Sequence, residues 1–352
     1  MWAGFAAYVG ALVWAVRLGR RVVWTTIVVL VVLFACLPPL LSHDIYSYVD
    51  YARLGVLHGV DPYVRGPASV PADPVFSHVT WPHTTSAYGP LFTLATYPLA
   101  WLPVGLAVYL FKAISAAAVL STALLVARLA AARGVDPTRA AAFVALNPLV
   151  LVHVVGGPHN DAIAVLLMTL GVAWVLTARE ASAGATFTAA IAVKASTIVA
   201  APFALLAAQR RKRLIAGALL ALALTTGTAY LAFGWHWLSA LALAGGNQGH
   251  TSHLSIPTTA ARLTGLDPDT TRIVAAALYA ALIVFLLAWT YRGNDWLRAT
   301  AWATTALLLA TAWLLPWYLL WPLPAAALSR DRAVKFLLLA LTAYQLGARI
   351  PL

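Results

Sequence analysis

The chain has 352 residues, of which 62% are hydrophobic and only 10% charged, and its mean hydropathy is +0.83. That composition excludes a soluble domain of this length and fits one apolar span after another, so the sequence reads as an all-α polytopic membrane protein. The formal net charge of +12 is explained by the positive-inside rule, so no nucleic-acid partner is expected. The single cysteine, Cys36, excludes an intramolecular disulfide.

Apolar runs follow one another at about 2–16, 22–41, 104–130, 139–155, 160–178, 181–193, 195–208, 214–233, 272–291, 299–315, 317–328 and 333–348. Several are shorter than the roughly 20 residues a straight span needs, which predicts short, broken or re-entrant helices. The expectation is about 10–12 transmembrane or re-entrant helices in a single integral membrane domain, 1–352, with external loops at about 42–90 and 234–270. The segment 90–103, punctuated by Pro98 and Pro103, reads as an interfacial or half-inserted helix. No cleavable signal peptide is expected, because 1–16 lacks a basic start and a second long span follows.

Threading these runs alternately across a bilayer gathers 16 of the 23 basic residues on one side, among them Arg20, Arg21 and the run Arg210, Arg211, Lys212 and Arg213. That side is expected to be cytoplasmic. The other side holds seven of the eleven acids and all nine histidines. Because only Arg and Lys set the orientation, the histidines are an independent sign that chemistry faces outward, at the extracytoplasmic face of the plasma membrane.

Four stretches carry candidate chemistry. In residues 44–57, Ile45, Val49, Ala52 and Val56 form an apolar stripe at helical spacing, while Asp44, Tyr48, Tyr51 and Gly55 form a second face. This predicts a helix lying at the outer interface, with Asp50 paired to Arg53. Asp44 stands at the end of a span, where Ser42 or Asp44 can cap the helix and Asp44 can take part in catalysis, two roles that do not exclude each other. In HVVGGPHNDAIAV (153–165), two glycines and a proline break two apolar helices, and His159, Asn160 and Asp161 crowd into the break. An Asn/Asp helix cap explains part of that trio. No HxxxH or HExxH spacing supports a metal site.

Lys194, between two short apolar pieces, needs an anion or a carbonyl cluster unless it snorkels to the interface. LLPWYLLWPLP (314–324) places Trp317, Tyr318 and Trp321 beside prolines, as an aromatic belt or as stacking platforms for a sugar. TSAYGPLF (85–92) is a turn that anchors Tyr88. Lys112 lies within a span and has no evident role. No P-loop, GxSxG, Cys/His metal pattern or tandem DxD is present.

The stretches SHDIYSYVDYARLGVLHGVDPY, SAYGPLF, NPLVLVHVVGGPHNDAIAVLLM, AVKASTIVAAPF and PWYLLW together, spread from residue 42 to 321, resemble the polyprenol-phosphomannose-dependent α-(1→6)-mannosyltransferases of actinobacteria, members of the GT-C superfamily. The resemblance implies a GT-C-like fold, a sugar donor carried on a polyprenyl phosphate, and a glycan or glycolipid acceptor outside the membrane. It also implies an acid in the first external loop as general base, which falls on Asp44. One departure is length, since the chain is shorter than members of that family.

On this reading Lys194, His159 and Arg53, in that order, are candidates to hold the donor phosphate. Asn160, Asp161, Tyr48, Tyr88, Trp317 and Tyr318 are candidates to contact the substrates. No cofactor and no metal are expected, and transfer from a β-linked donor inverts the anomeric centre. A transporter or flippase of a lipid-linked sugar is the competing reading, because it too would contain broken helices and intramembrane Lys and Asp.

Overall fold

The fold, seen in a computed structural model, is described for residues 2–246 and 252–347. His250, one of the outward-placed histidines, lies outside the described residues. Among the described residues every regular element is helical: α1 (Trp2–Cys36), α2 (Asp44–Leu57), α3 (Pro90–Thr96), α4 (Val104–Ala132), α5 (Pro137–Ala145), α6 (Asp161–Leu176), α7 (Glu180–Val193), α8 (Ala201–Ala207), α9 (Arg211–Phe233), α10 (Ser239–Gly246), α11 (Ile256–Thr264), α12 (Pro268–Tyr291), α13 (Trp296–Ala310), α14 (Leu323–Leu328) and α15 (Arg332–Gly347). The chain is an all-α polytopic membrane protein.

Four of these helices, α1, α4, α9 and α12, are long and apolar enough to cross a bilayer. Their outward residues, such as Val29 and Leu33, Leu220 and Leu224, and Leu278 and Val284, are exposed aliphatics, as expected where lipid rather than water is the neighbour. The remaining apolar runs are shorter or broken, and the breaks have local causes. In α1, Gly19 takes φ 77° and ψ 156°, so two helical segments meet there, matching the split between runs 2–16 and 22–41. After α5, Pro148 ends the helix and the Asn147 side chain accepts the Leu149 N–H at 3.0 Å. The chain resumes as a π-helical turn, Val150–Gly156, bent 62° from α5. Lys194 is extended, with φ −148° and ψ 113°, and separates α7 from the 3₁₀ turn Ala195–Ala200 that leads into α8.

Helices α7 and α9 meet through glycine. A Cβ on Gly184 would land on the Leu214 carbonyl, and one on Gly217 on the Ala181 carbonyl. Such a reciprocal approach of two backbones is the usual way for helices in lipid to gain contact without a hydrophobic driving force.

The described residues of the two expected external segments contain helices. Residues 42–90 contain α2 and two short 3₁₀ turns, Pro67–Ser69 and Phe76–His78, and 234–270 contains α10 and α11. Helix α2 starts at the expected residue, but it is not an interfacial helix with one wet side. Ile45, Ser47, Tyr48, Val49, Asp50, Tyr51, Ala52 and Leu54 are all buried. Tyr48 packs edge-on against Tyr88 at 4.7 Å and Phe92 at 4.9 Å, in a cluster that also takes in Phe111 of α4 and Val193 of α7.

The expected Asp50–Arg53 pair is not formed. Arg53 Nε instead bonds both carboxylate oxygens of Asp73, at 2.9 and 3.0 Å, and its Nη1 donates to the Ala100 carbonyl at 3.0 Å. His58 completes the Asp73 site at 2.7 Å. The carboxylate on the facing loop outcompetes a neighbour on the same helix, because it is met at once by Arg53 Nε, His58 Nε2 and the Val75 N–H. Asp50 is left 2% exposed, and its Oδ1 has no hydrogen-bond partner among the described residues. Burial, followed by the Asp73 charge, pushes its carboxyl up to about 7, against the opposing pull of His58 and Arg53.

Two outcomes are expected. Gly217→Val should force α7 and α9 apart at a cost of roughly 1–3 kcal/mol, read as a lower thermal midpoint in detergent; an unchanged midpoint would contradict the close crossing. For Asp50, the folded carboxyl binds its proton more tightly than the unfolded one, so its contribution to stability falls as pH rises from about 4 to 7. Asp50→Asn, which cannot ionise, should gain on the parent as pH rises, exceeding it by less at pH 5 than at pH 8, at roughly 2–4 °C for each kcal/mol removed. An equal difference at both pH values would contradict the buried, unpaired carboxylate.

Candidate active site

The site is built around a helix break. The π-helical turn ends at Gly156 and Gly157, and the irregular segment after α1 lies against it, with Leu40 N–H donating to the Gly156 carbonyl at 3.1 Å. A Cβ on Gly157 would strike the Leu40 carbonyl, so the second glycine is what lets the two backbones touch. Lys112, fully buried in α4, donates through Nζ to the Gly156 carbonyl and, at 3.4 Å, to that of Val155. This is the role the sequence did not reveal for Lys112: a buried cation satisfying carbonyls that the broken helix leaves free. Ser115, one turn further on, donates to the His159 carbonyl at 3.4 Å.

That contact brings the 40–44 segment beside 156–161. His159 is 1% exposed, and its Nδ1 lies 2.6 Å from the His153 carbonyl, which can only accept, so Nδ1 carries a proton. Nε2 therefore faces outward, 3.2 Å from Ser42 Oγ and 3.5 Å from Asp44 Oδ2. The imidazole is stacked on Trp317, with ring centroids 3.8 Å apart.

Asp44 is the first residue of α2, yet its carboxylate makes no cap bond to a helix N–H among the described residues; its own N–H donates to Ser42 Oγ at 3.3 Å. Its side chain is 23% exposed. Burial pushes the Asp44 carboxyl up, but the His159 hydrogen bond and the charges of His159, Lys194 and His43 outweigh it and hold it below the usual carboxylate range. Asp44 is thus held as an ionised, accessible carboxylate.

The second half of the site is the Lys194–Asp161 pair, with Nζ 3.0 Å from Oδ2. Lys194 also reaches the Asn160 side-chain oxygen at 3.5 Å and lies over the Tyr318 ring at 5.4 Å. Asp161 is fully buried and accepts at its other oxygen from Trp321 Nε1, 2.6 Å away. Neither Asn160 nor Asp161 acts as a side-chain cap of α6. Lys194 is 20% exposed, and an ammonium has three N–H donors, so with Asp161 and Asn160 served one remains for a ligand.

The structure therefore brings Asp44, His159, Asn160, Asp161, Lys194, Tyr48, Tyr88, Trp317 and Tyr318 to one place. Tyr48 is buried behind Asn160, whose N–H points to the Tyr48 hydroxyl at 3.5 Å. Arg53 is not part of the group: it sits nine residues along α2 from Asp44, about 13 Å at 1.5 Å per residue, with its donors on Asp73 and Ala100.

The aromatic-belt reading of 317–321 is corrected, since Trp317 and Trp321 are 9% and 7% exposed and one face of each is covered by His159 or Tyr318. Ser42 and Lys112 are partners that sequence reasoning did not assign to the site, and it did not reveal that Trp321 donates to Asp161. Trp321 had a signal, because four residues separate it from Trp317, one helical turn apart. No three His, Cys, Asp or Glu side chains among the described residues are placed to hold a metal ion.

Residues 1–210 match the family described as Alpha-(1->6)-mannopyranosyltransferase, N-terminal domain. The chain is also similar to Alpha-(1->6)-mannopyranosyltransferase A of Mycobacterium tuberculosis, 32% identical over 323 residues, covering 82% of this chain and 61% of that protein. It is 29% identical over 225 residues to the protein of the same name from Corynebacterium glutamicum, covering 58% of this chain and 45% of that protein. The chain thus spans about half to three fifths of the length of these relatives. The matched residues 1–210 contain Asp44, the HND break and Lys194, and on that match the chain belongs to the alpha-(1->6)-mannopyranosyltransferase family.

Proposed function

We propose that this chain transfers mannose from a polyprenyl-phosphate donor to a glycan or glycolipid acceptor at the extracytoplasmic face of the plasma membrane, with inversion and without a metal ion. The observation that carries the reading is Asp44: an ionised, partly exposed carboxylate with no capping role, set against His159 and within the field of Lys194. The names of the relatives support mannose as the sugar.

In the proposed step an acceptor hydroxyl attacks the anomeric carbon, Asp44 takes its proton, and the bond from that carbon to the phosphate oxygen breaks with its electrons leaving on the lipid phosphate. Negative charge grows on the phosphate, and Lys194, aimed by Asp161 and Asn160, meets it with its remaining N–H. His159, hydrogen-bonded at both ring nitrogens, orients Asp44 and is the second candidate to meet the phosphate. Asn160, Asp161, Tyr48 and Trp321 stand behind the exposed pair and fix its geometry. Tyr88 and Tyr318 are the aromatic candidates that are only partly buried. The outward orientation rests on the Arg/Lys asymmetry, which puts the opposite end of the helices in the cytoplasm.

Asp44→Asn keeps the shape but cannot take a proton. Single-turnover transfer of labelled mannose, with donor binding followed separately, should fall about 10²–10⁴-fold while binding is kept. Asp269→Asn, at an exposed residue 3.0 Å from Arg272, should behave as the parent. The acid limb of the parent should lie below pH ~4, the range of a free carboxylate. Parent-like turnover by Asp44→Asn would remove Asp44 as the base, and movement of the intact lipid without sugar transfer would favour a flippase.

Lys194→Met alone leaves Asp161 buried and unpaired, which costs about 3–5 kcal/mol. The double variant Lys194→Met/Asp161→Asn removes both charges and should fold. It should bind the donor about tenfold to a hundredfold more weakly, the size of a lost charged hydrogen bond. Normal donor binding by the folded double variant would show that the phosphate lies elsewhere.

A further inference from the structure

At the far end of α4 lies a cleft of about 600 Å³ that the transfer chemistry does not use. From Ser115, bonded to the His159 carbonyl, to Arg133, whose guanidinium bonds Asp295 at 2.8 Å, is 18 helical residues. That is about 27 Å, close to the roughly 30 Å of a hydrocarbon core. The cleft is walled by the last turn of α12, the start of α13 and the segment entering α15, and its charged lining is Asp295, Arg298, Arg330, Asp331 and Arg332.

Both carboxylates there are already engaged. Asp295 bonds Arg133 and caps α13 at the Leu297 N–H, 3.1 Å away. Asp331 accepts from Arg298 Nε at 2.6 Å and Trp302 Nε1 at 2.9 Å, and caps α15 at the Ala333 N–H, 2.8 Å away. Arg330 uses one N–H on the Arg133 carbonyl at 2.9 Å. Arg332 meets no carboxylate among the described residues, and both side chains are exposed. Four guanidinium groups thus face two spoken-for carboxylates, a surplus of two positive charges with unused planar donors. That is the complement of a phosphate group.

The surroundings indicate which phosphate. Trp289 lines the cleft, with Arg298 5.6 Å from its ring, as tryptophans do at the headgroup level. The same turn of α12 is flanked by a second groove of about 650 Å³, whose lining is apolar, Pro202, Leu205, Leu206, Leu287 and Ala288, apart from Tyr291 and Arg292. A soluble phosphate has no use for an apolar groove beside it; a phospholipid does. We infer that the cleft binds the phosphate headgroup of an anionic phospholipid, with an acyl chain in the adjoining groove. On the topology proposed above this is a lipid of the cytoplasmic leaflet. The inference does not depend on the transfer reaction.

The test is native mass spectrometry of the full chain titrated with phosphatidylglycerol or phosphatidylcholine. The parent should retain phosphatidylglycerol selectively. Arg330→Ala/Arg332→Ala should bind it about tenfold to thirtyfold more weakly, at about fivefold per lost surface charge, and Arg330→Lys/Arg332→Lys should keep part of the affinity. Lys212→Ala/Arg213→Ala, which removes the same charge from exposed positions on α9, should bind as the parent does. If the double alanine variant does not fold, Arg332→Ala alone should show the fivefold loss. Parent-like binding by the alanine variants, an equal loss in the α9 control, or displacement of the lipid by millimolar inorganic phosphate would each overturn the inference.

Discussion

A helix broken inside a membrane must find partners for the backbone groups it frees, because hydrocarbon offers none. The break at Gly156 and Gly157 is where this chain meets that demand, and the side chains that meet it assemble the site. Lys112 and the Leu40 N–H take the Gly156 carbonyl, and His159 takes that of His153. Each of these bonds has a second effect. Leu40 brings the end of α1, and hence Ser42 and Asp44, against the break. His159, fixed through Nδ1, turns Nε2 toward Asp44. The π-helical turn just before the break is a winding often found at functional sites, here with an identifiable set of bonds holding it.

The other half of the site follows the same logic with charge in place of backbone. Asp161 is fully buried, and a carboxylate there is tolerable only with a cation and a donor on its oxygens. Lys194 and Trp321 supply them from two further breaks, between α7 and α8 and before α14. Three interruptions in otherwise apolar helices thus converge, and the charged residues of the site that remain partly exposed are one carboxylate and one ammonium, Asp44 and Lys194. An acid and a cation in one site suit a reaction that needs a proton removed and an anion released.

Much of this was legible in the sequence, and the reasons are physical. Apolar periodicity marks membrane helices well, and the runs at 104–130, 160–178 and 214–233 became α4, α6 and α9 with ends within a few residues. The clustering of His159, Asn160 and Asp161 in a Gly-Gly-Pro break, and a lone lysine at 194, stood out because polar groups are rare and costly there. What was not legible depends on partners distant in the chain. Asp50 and Arg53 have ideal spacing for a helical pair, yet Arg53 goes to Asp73, twenty residues away. Lys112 had no local partner because its partners are carbonyls 43 and 44 residues on. The Trp317 and Trp321 rings read as a belt because sequence does not reveal that His159 and Asp161 lie behind them.

The most direct test of the account is a structure of this chain with a non-transferable polyprenyl-phosphomannose analogue. The account predicts the phosphate within hydrogen-bonding distance of Lys194 Nζ and the anomeric carbon facing Asp44, with the Lys112 and His159 bonds to the broken helix intact. A phosphate held at Arg53 or in the arginine cleft at the opposite end of α4, with Asp44 turned away from the sugar, would contradict it.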